Sequence, residues 1–171
     1  LVEKLVHALE QPIVATDFSP RVLQRDRQWL ESFGFYDRVS LLAFDARRTP
    51  FKDGAVKTLT TNLGLPNIED PGDLLKELRR IVTGTFLAIS HFFPEDDKAN
   101  AEVIREAGLE TLLYRRTALE CFAESGWQVE VANSRIGKAR PTPSSVLLEG
   151  ARVDGLPVAD TEMEWCVLLA T

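Results

Sequence analysis

Four residue pairs in this 171-residue chain stand at the ends of predicted strands, and each is of a type that binds or reacts. Asp17-Phe18 follows Ile13-Val14-Ala15-Thr16, and Asp45-Ala46 follows the run from Val39 to Phe44. Thr61-Asn62 closes a run that opens at Ala55, and Ser90-His91 closes Phe86-Leu87-Ala88-Ile89. In an open α/β sheet, ligands bind beyond the carboxyl ends of the strands, which is where these pairs fall. A carboxylate in that position offers two oxygens and can accept from both hydroxyls of a ribose. His91 is, by residue type, the best general base of the set. The two histidines, His7 and His91, and the two cysteines, Cys121 and Cys166, lie too far apart in sequence to form a metal site of recognisable spacing.

The elements that must position these residues follow from periodicity and punctuation. Leu1, Val2, Leu5, Val6 and Leu9 recur at helical spacing, so Leu1–Glu10 reads as an amphipathic helix ended by Pro12. Ile13–Thr16 reads as a buried parallel strand. Ser19 can cap, and Pro20 can open, a helix to about Phe33, closed by Gly34. Val39–Phe44 and Ala55–Thr61 are strands, with a polar Asp-Gly turn loop between them and a loop from Asn62 to Asp70 after them. Leu74–Val82 is helical and Phe86–Ser90 is a central strand. Helices over Glu95–Ala107 and Thr117–Ser125 stop at Gly108 and Gly126. Strands at Trp127–Ala132 and Trp165–Ala170 are joined by a connector too long for a hairpin turn, predicted to hold a ribbon at Val146–Val153. This alternation implies an α/β fold with a mostly parallel sheet covered on both faces, and the closing strand pair implies one antiparallel member.

Composition narrows the function classes. Residues 1–85 carry 12 basic and 12 acidic groups and residues 86–171 carry 8 and 14, so the whole net charge of −6 lies in the second half. That balance argues against a nucleic-acid footprint, which needs a basic face. The longest uncharged run, Ile81–Pro94 apart from its histidine, is shorter than the ~20 apolar residues of a spanning helix, so no membrane partner is expected. Cysteines in a predicted helix and strand fit a reducing compartment, and hence a cytoplasmic location. The chain opens at Leu1 and its only methionine is Met163, so residues upstream of Leu1 are expected.

With these residues assembled, the chain resembles the class I S-adenosylmethionine-dependent methyltransferases of the small-molecule type. The resemblance rests on Val14-Ala15-Thr16-Asp17-Phe18-Ser19-Pro20, on Phe44-Asp45-Ala46-Arg47-Arg48-Thr49-Pro50-Phe51-Lys52-Asp53-Gly54, on Leu74–Val82, and on Glu120-Cys121-Phe122-Ala123-Glu124-Ser125-Gly126-Trp127, and it covers nearly the whole chain. It implies a Rossmann-like, doubly wound, mostly parallel seven-stranded sheet with an antiparallel C-terminal strand, in a single domain over 1–171. The first strand and the glycine-rich loop would precede Leu1, which falls inside the family's first helix. It implies S-adenosylmethionine as cofactor, with Asp17 holding the ribose hydroxyls, Phe18 against one face of adenine, Asp45 accepting from the adenine amine and Ala46 donating to the ring through its backbone. Asn62 would face the reactive methyl group, and His91 the substrate side, as a base where the acceptor is a hydroxyl. Residues 92–114 and 133–163 would form lid or substrate-side insertions. The family's Pro-Gly-Gly turn before its fifth strand is replaced by Val82-Thr83-Gly84-Thr85.

The expected activity is therefore methyl transfer to a small molecule; a homodimer is compatible with the sequence, which leaves the oligomeric state and the identity of the acceptor open. Two rivals share these features: a nicotinamide-dependent oxidoreductase, which also carries a ribose-binding acid, and a non-catalytic binding or dimerisation module that keeps the fold. Each residue also has a structural reading. Asp17 can cap the helix at Pro20, Asp45 can pair with Arg47 or Arg48, Asn62 can be a turn residue and His91 can pack against Phe92-Phe93. Glu95-Asp96-Asp97 reads as the negative first turn of a helix, and His7 as a helix-surface residue.

Overall fold

The computed structural model describes residues 1–68, 70–143, 145 and 153–171, which divide into two compact units, Leu1–Pro50 and Phe51–Thr171. The predicted ribbon at Val146–Val153 lies outside the described residues except at Val153, which opens a 3-10 turn, Val153–Gly155.

The first unit holds α1 (Val2–Ala8), β1 (Ile13–Asp17), α2 (Pro20–Ser32) and β2 (Val39–Ala43). β1 and β2 pair in parallel from Ile13↔Val39 to Asp17↔Ala43. Their apolar residues meet the helices in a cluster of Val6, Leu30 and Val39, against which Val2, Ile13, Ala15, Phe35, Tyr36 and Leu41 pack. Pro20 takes the first helical position of α2, where its missing N–H costs nothing. Ser19 is the N-cap residue, but its hydroxyl makes no capping bond. Instead Oδ1 of Asp17 accepts the Ser19 N–H at 2.7 Å, so the acid supplies the local turn expected of the serine. Gly34 ends the helix at φ 72°, in the left-handed region that a side chain disfavours.

The second unit holds β3 (Val56–Asn62), α3 (Pro71–Ile81), β4 (Val82–Phe92), α4 (Lys98–Glu106), α5 (Glu110–Leu113), α6 (Arg115–Glu124), β5 (Val129–Ala139) and β6 (Thr161–Ala170). The sheet order is β3-β4-β6-β5, with β3 parallel to β4 and β6 antiparallel to both its neighbours, so β6 is the expected antiparallel member. α3 and α6 bury Leu74, Leu75, Leu78, Ile81, Ala118 and Phe122. Phe86 on β4 stacks 6.0 Å from Phe122 and lies 5.6 Å from Trp127, whose Nε1–H donates to the Leu75 carbonyl at 2.9 Å. These helices cover one face of the sheet. On the other face His91 is 5% exposed, while Ile89 and Trp165 remain 37% and 39% exposed.

Three predicted boundaries move. β4 is eleven residues long rather than five, and Val82-Thr83-Gly84-Thr85 is strand rather than turn. Gly84 permits this: a Cβ there would run into the Lys57 carbonyl oxygen on β3, beside the register shift at Val56/Thr58. α4 begins at Lys98, not Glu95, because Asp97 is its N-cap and accepts the Asn100 N–H at 3.2 Å. β5 runs on to Ala139 through a bulge between Ala132 and Arg135, with Asn133 at φ 53°. Both stretches expected to be insertions, 92–114 and 133–163, thus begin within strands, and the second also ends within one, β6.

The segments between these strands are held to each other. Phe93, Ile104, Leu109 and Leu113 form one buried cluster with Val153, Leu156 and Met163. Asn100, fully buried, accepts the Val158 N–H at 2.7 Å and donates through Nδ2 to Asp97 Oδ2 at 2.7 Å and to the Ala159 carbonyl at 3.3 Å. Such a satisfied amide fixes geometry, since leaving its partners unpaired costs about 1–3 kcal/mol each. Among the described residues no helix is long and apolar enough to cross a membrane.

Candidate functional site

In the first unit, parallel pairing brings four of the candidate residues to one edge. Because Asp17 pairs with Ala43 and the Phe44 N–H donates to the Asp17 carbonyl at 3.2 Å, Asp17-Phe18 and Asp45-Ala46 leave the carboxyl ends of adjacent strands. Asp17 is half-buried, and one of its oxygens keeps the Ser19 contact. Its Oδ2 takes no hydrogen bond among the described residues, so a diol can still be accepted there. Phe18 is 76% exposed, an apolar ring presented at the strand end. The Ala46 N–H likewise has no acceptor among the described residues.

Asp45 is held by Arg47 rather than Arg48. The Arg47 N–H donates to Oδ1 at 2.9 Å, and the guanidinium reaches Oδ1 through Nε at 3.1 Å and Oδ2 through Nη2 at 2.8 Å. Hydrogen bonding from the Arg47 side chain, with that from its backbone, holds the Asp45 carboxyl below the usual carboxylate range, so it is ionised at neutral pH.

In the second unit, Asn62 and His91 stand at the carboxyl ends of neighbouring strands. Asn62 is the last residue of β3, exposed, and pairs with Ile89. The chain then turns through Leu63 at φ 57°, whose N–H donates to the Ile89 carbonyl at 3.0 Å. His91 is 5% exposed, its ring 5.2 Å from that of Trp165 and 6.0 Å, edge-on, from Phe93. Its Nδ1 is buried and has no hydrogen-bond partner among the described residues. Burial pushes its pKa down to about 4, so the imidazole is neutral at pH 7 and a weak base toward a hydroxyl.

That shift carries a stability prediction. The folded-state value lies below the ~6.5 of an unfolded histidine, so the contribution is fully present above about pH 6.5 and is lost as the pH falls through that value toward 4. Its size is about 3 kcal/mol. Denaturant melts of the protein and of His91→Gln at pH 7 and pH 4 are expected to show a smaller acid-side loss in the variant, by roughly that amount. Equal losses in the two proteins would show that His91 does not titrate differently on unfolding.

Among the described residues no group of three or more His, Cys, Asp or Glu could hold a metal ion. What the first unit presents at one edge is a carboxylate with an uncommitted oxygen, an exposed apolar ring, a second carboxylate and, among the described residues, a backbone donor without an acceptor, all at the ends of adjacent parallel strands. Residues 2–89, just over half of the chain, match the family described as methyltransferase domain, and the chain belongs to that family, the class I S-adenosylmethionine-dependent methyltransferases. The chain is 30% identical over 70 residues to the ubiquinone/menaquinone biosynthesis C-methyltransferase UbiE of Geotalea uraniireducens, a match covering 41% of this chain but only 30% of that relative's length. Among solved structures it is similar to the YcgJ protein of Bacillus subtilis, with TM-score 0.67 and 14% identity over 94% of this chain and 81% of that one. It is also similar to the geranyl diphosphate C-methyltransferase of Streptomyces coelicolor bound to Mg2+, geranyl diphosphate and S-adenosyl-L-homocysteine, with TM-score 0.67 and 16% identity over 99% of this chain and 67% of that one. Both likenesses establish the Rossmann-like fold, and neither fixes a substrate.

Proposed function

We propose that this protein binds S-adenosylmethionine as methyl donor and methylates a small-molecule acceptor that is already nucleophilic, an amine or an electron-rich carbon. The observation that carries the donor half is the convergence of Asp17, Phe18, Asp45 and Ala46 on one strand edge with acceptor and donor positions to spare. Their chemistry fits an adenosine: Asp17 takes the ribose hydroxyls, Phe18 covers one face of the base, Asp45 accepts from the exocyclic amine, and the Ala46 N–H donates to a ring nitrogen. When bound, S-adenosylmethionine supplies a sulfonium methyl that is itself a strong electrophile. What remains for the protein is to hold the acceptor in line and to exclude water. Within the second unit, this reading assigns the acceptor to the strand ends that carry Asn62 and His91.

Support for the acceptor half comes from His91. A neutral imidazole with pKa about 4 gives little help in deprotonating a hydroxyl at neutral pH, whereas an amine or carbon nucleophile needs none. The two relatives named as C-methyltransferases are in keeping with a carbon acceptor. The acidic second half favours a neutral or cationic acceptor over an anionic one.

Calorimetric titration of S-adenosylhomocysteine into the protein, with NADH in parallel, tests the donor assignment. Micromolar binding of the first alone, about −8 kcal/mol, is expected. Binding of NADH alone would replace this reading by the oxidoreductase. Binding of neither would favour a non-catalytic module.

A further inference from the structure

The Asp45-Arg47 pair has a geometry beyond what an ordinary loop ion pair requires. A carboxylate has about four lone-pair positions. The guanidinium fork spans both oxygens: Nη2 donates to Oδ2 at 2.8 Å, and the Nε–H is shared between Oδ1 at 3.1 Å and Oδ2 at 3.2 Å. The backbone N–H of Arg47 also donates to Oδ1, at 2.9 Å. Three N–H protons thus serve about four positions, so the carboxylate keeps room for one further donor. The pair is neither buried nor free in solvent: the side chains are 32% and 33% exposed, so the carboxylate faces both the protein and a ligand arriving at the strand edge. The Arg48 N–H closes the same turn onto the Asp45 carbonyl at 2.9 Å, so the backbone beneath is fixed as well.

We infer that Arg47 is a positioning residue for the donor's nucleobase: its fork locks the Asp45 carboxylate so that its one remaining acceptor position is offered to the 6-amino group, making the site selective for adenine over 6-oxo purines. This rests on the reading of the first unit as the S-adenosylmethionine site. A carboxylate left to rotate would have to be ordered as the base arrived, whereas one already held by a fork has lost that freedom beforehand. The remaining lone pair suits an N–H donor and repels a carbonyl oxygen, which is the difference between adenine and hypoxanthine. Lysine carries the charge of Arg47 without the planar fork, so it can neutralise Asp45 but cannot fix it.

The test titrates S-adenosylhomocysteine and S-inosylhomocysteine into the full chain and into Arg47→Gln, Arg47→Lys, Asp45→Asn and the Arg47→Gln/Asp45→Asn double variant. The wild type is expected to prefer the adenosyl compound by tenfold or more. Arg47→Gln should weaken adenosyl binding by about three- to tenfold and leave inosyl binding nearly unchanged, shrinking the preference. Arg47→Lys should recover only part of the loss, and Arg47→Gln should have no further effect once Asp45 is Asn. The inference is overturned if Arg47→Gln weakens both compounds equally, tightens the adenosyl compound or changes neither, or if the wild type binds both alike. Failure of the wild type to bind either compound would remove the donor-site reading itself, and this inference with it.

Discussion

Asp17→Ala is expected to weaken S-adenosylhomocysteine binding by about 10- to 150-fold, the loss of a charge-assisted acceptor valued at roughly 1.5–3 kcal/mol. The carboxylate has two tasks in the structure, and the prediction separates them. Oδ1 accepts the Ser19 N–H and starts α2, while Oδ2 is uncommitted among the described residues. Alanine removes both and is expected to cost about 1 kcal/mol of stability as well, the usual value of a helix-start acceptor. Asn keeps an oxygen for Ser19 but has neither the charge nor the second acceptor. Asp17→Asn should therefore melt like the wild type and still bind the ligand far more weakly. Calorimetry alongside thermal melts reads both quantities, and undiminished affinity in the Asn variant would exclude Asp17 from the ribose contact.

Gly84→Ala should produce the largest loss of stability of any single methyl added to the described glycines, about 3 kcal/mol, at the upper end of what overpacking costs. The new Cβ would meet the backbone carbonyl of Lys57, and a main-chain atom in a paired strand cannot swing aside as a side chain can. For a chain of this length that corresponds to a melting temperature lower by roughly 6–12 °C. Gly72, in the first turn of α3, is the internal control: nothing lies within 4 Å of a Cβ there, and alanine should be neutral or slightly stabilising. Equal melting temperatures for the Gly84 and Gly72 variants would show that β3 and β4 can part at this point without cost.

The candidate site divides along the same line as its legibility. Asp17 and Asp45 were readable because local chain geometry places them: each follows an apolar run, and the two runs are adjacent parallel strands. The Asp45-Arg47 pair was readable for the same reason, being two residues apart. The environment of His91 was legible in part: its contact with Phe93, two residues on, could be read locally, but the nearer ring, Trp165, is brought alongside only by the antiparallel pairing of β6. No window along the sequence contains that neighbour, and so none foretells an imidazole pushed down to about 4. Strand ends are less legible wherever pairing outruns hydrophobicity: Thr85 in β4, opposite Thr58, and Arg135 and Lys138 in β5, opposite Trp165 and Glu162, are held by partner strands rather than by an apolar pattern. The helix stops were legible, since Gly34, Gly108 and Gly126 all have the positive φ that a left-handed cap requires. α5 escaped because four residues are too few to show a period.

The position of β6 bears on how the second unit is made. β6 is the last strand in the sequence, yet it lies between β4 and β5 and supplies the pairing edge for both. During synthesis the parallel β3-β4 ladder can form early, but β5 has no partner in this sheet until Thr161–Ala170 has left the ribosome. Two strand edges with apolar neighbours therefore wait together for a third, a state prone to intermolecular pairing. The bulge at Ala132/Arg135 and the Arg135 and Lys138 side chains on β5 are of the kind that keeps such an edge from pairing with another chain while it waits.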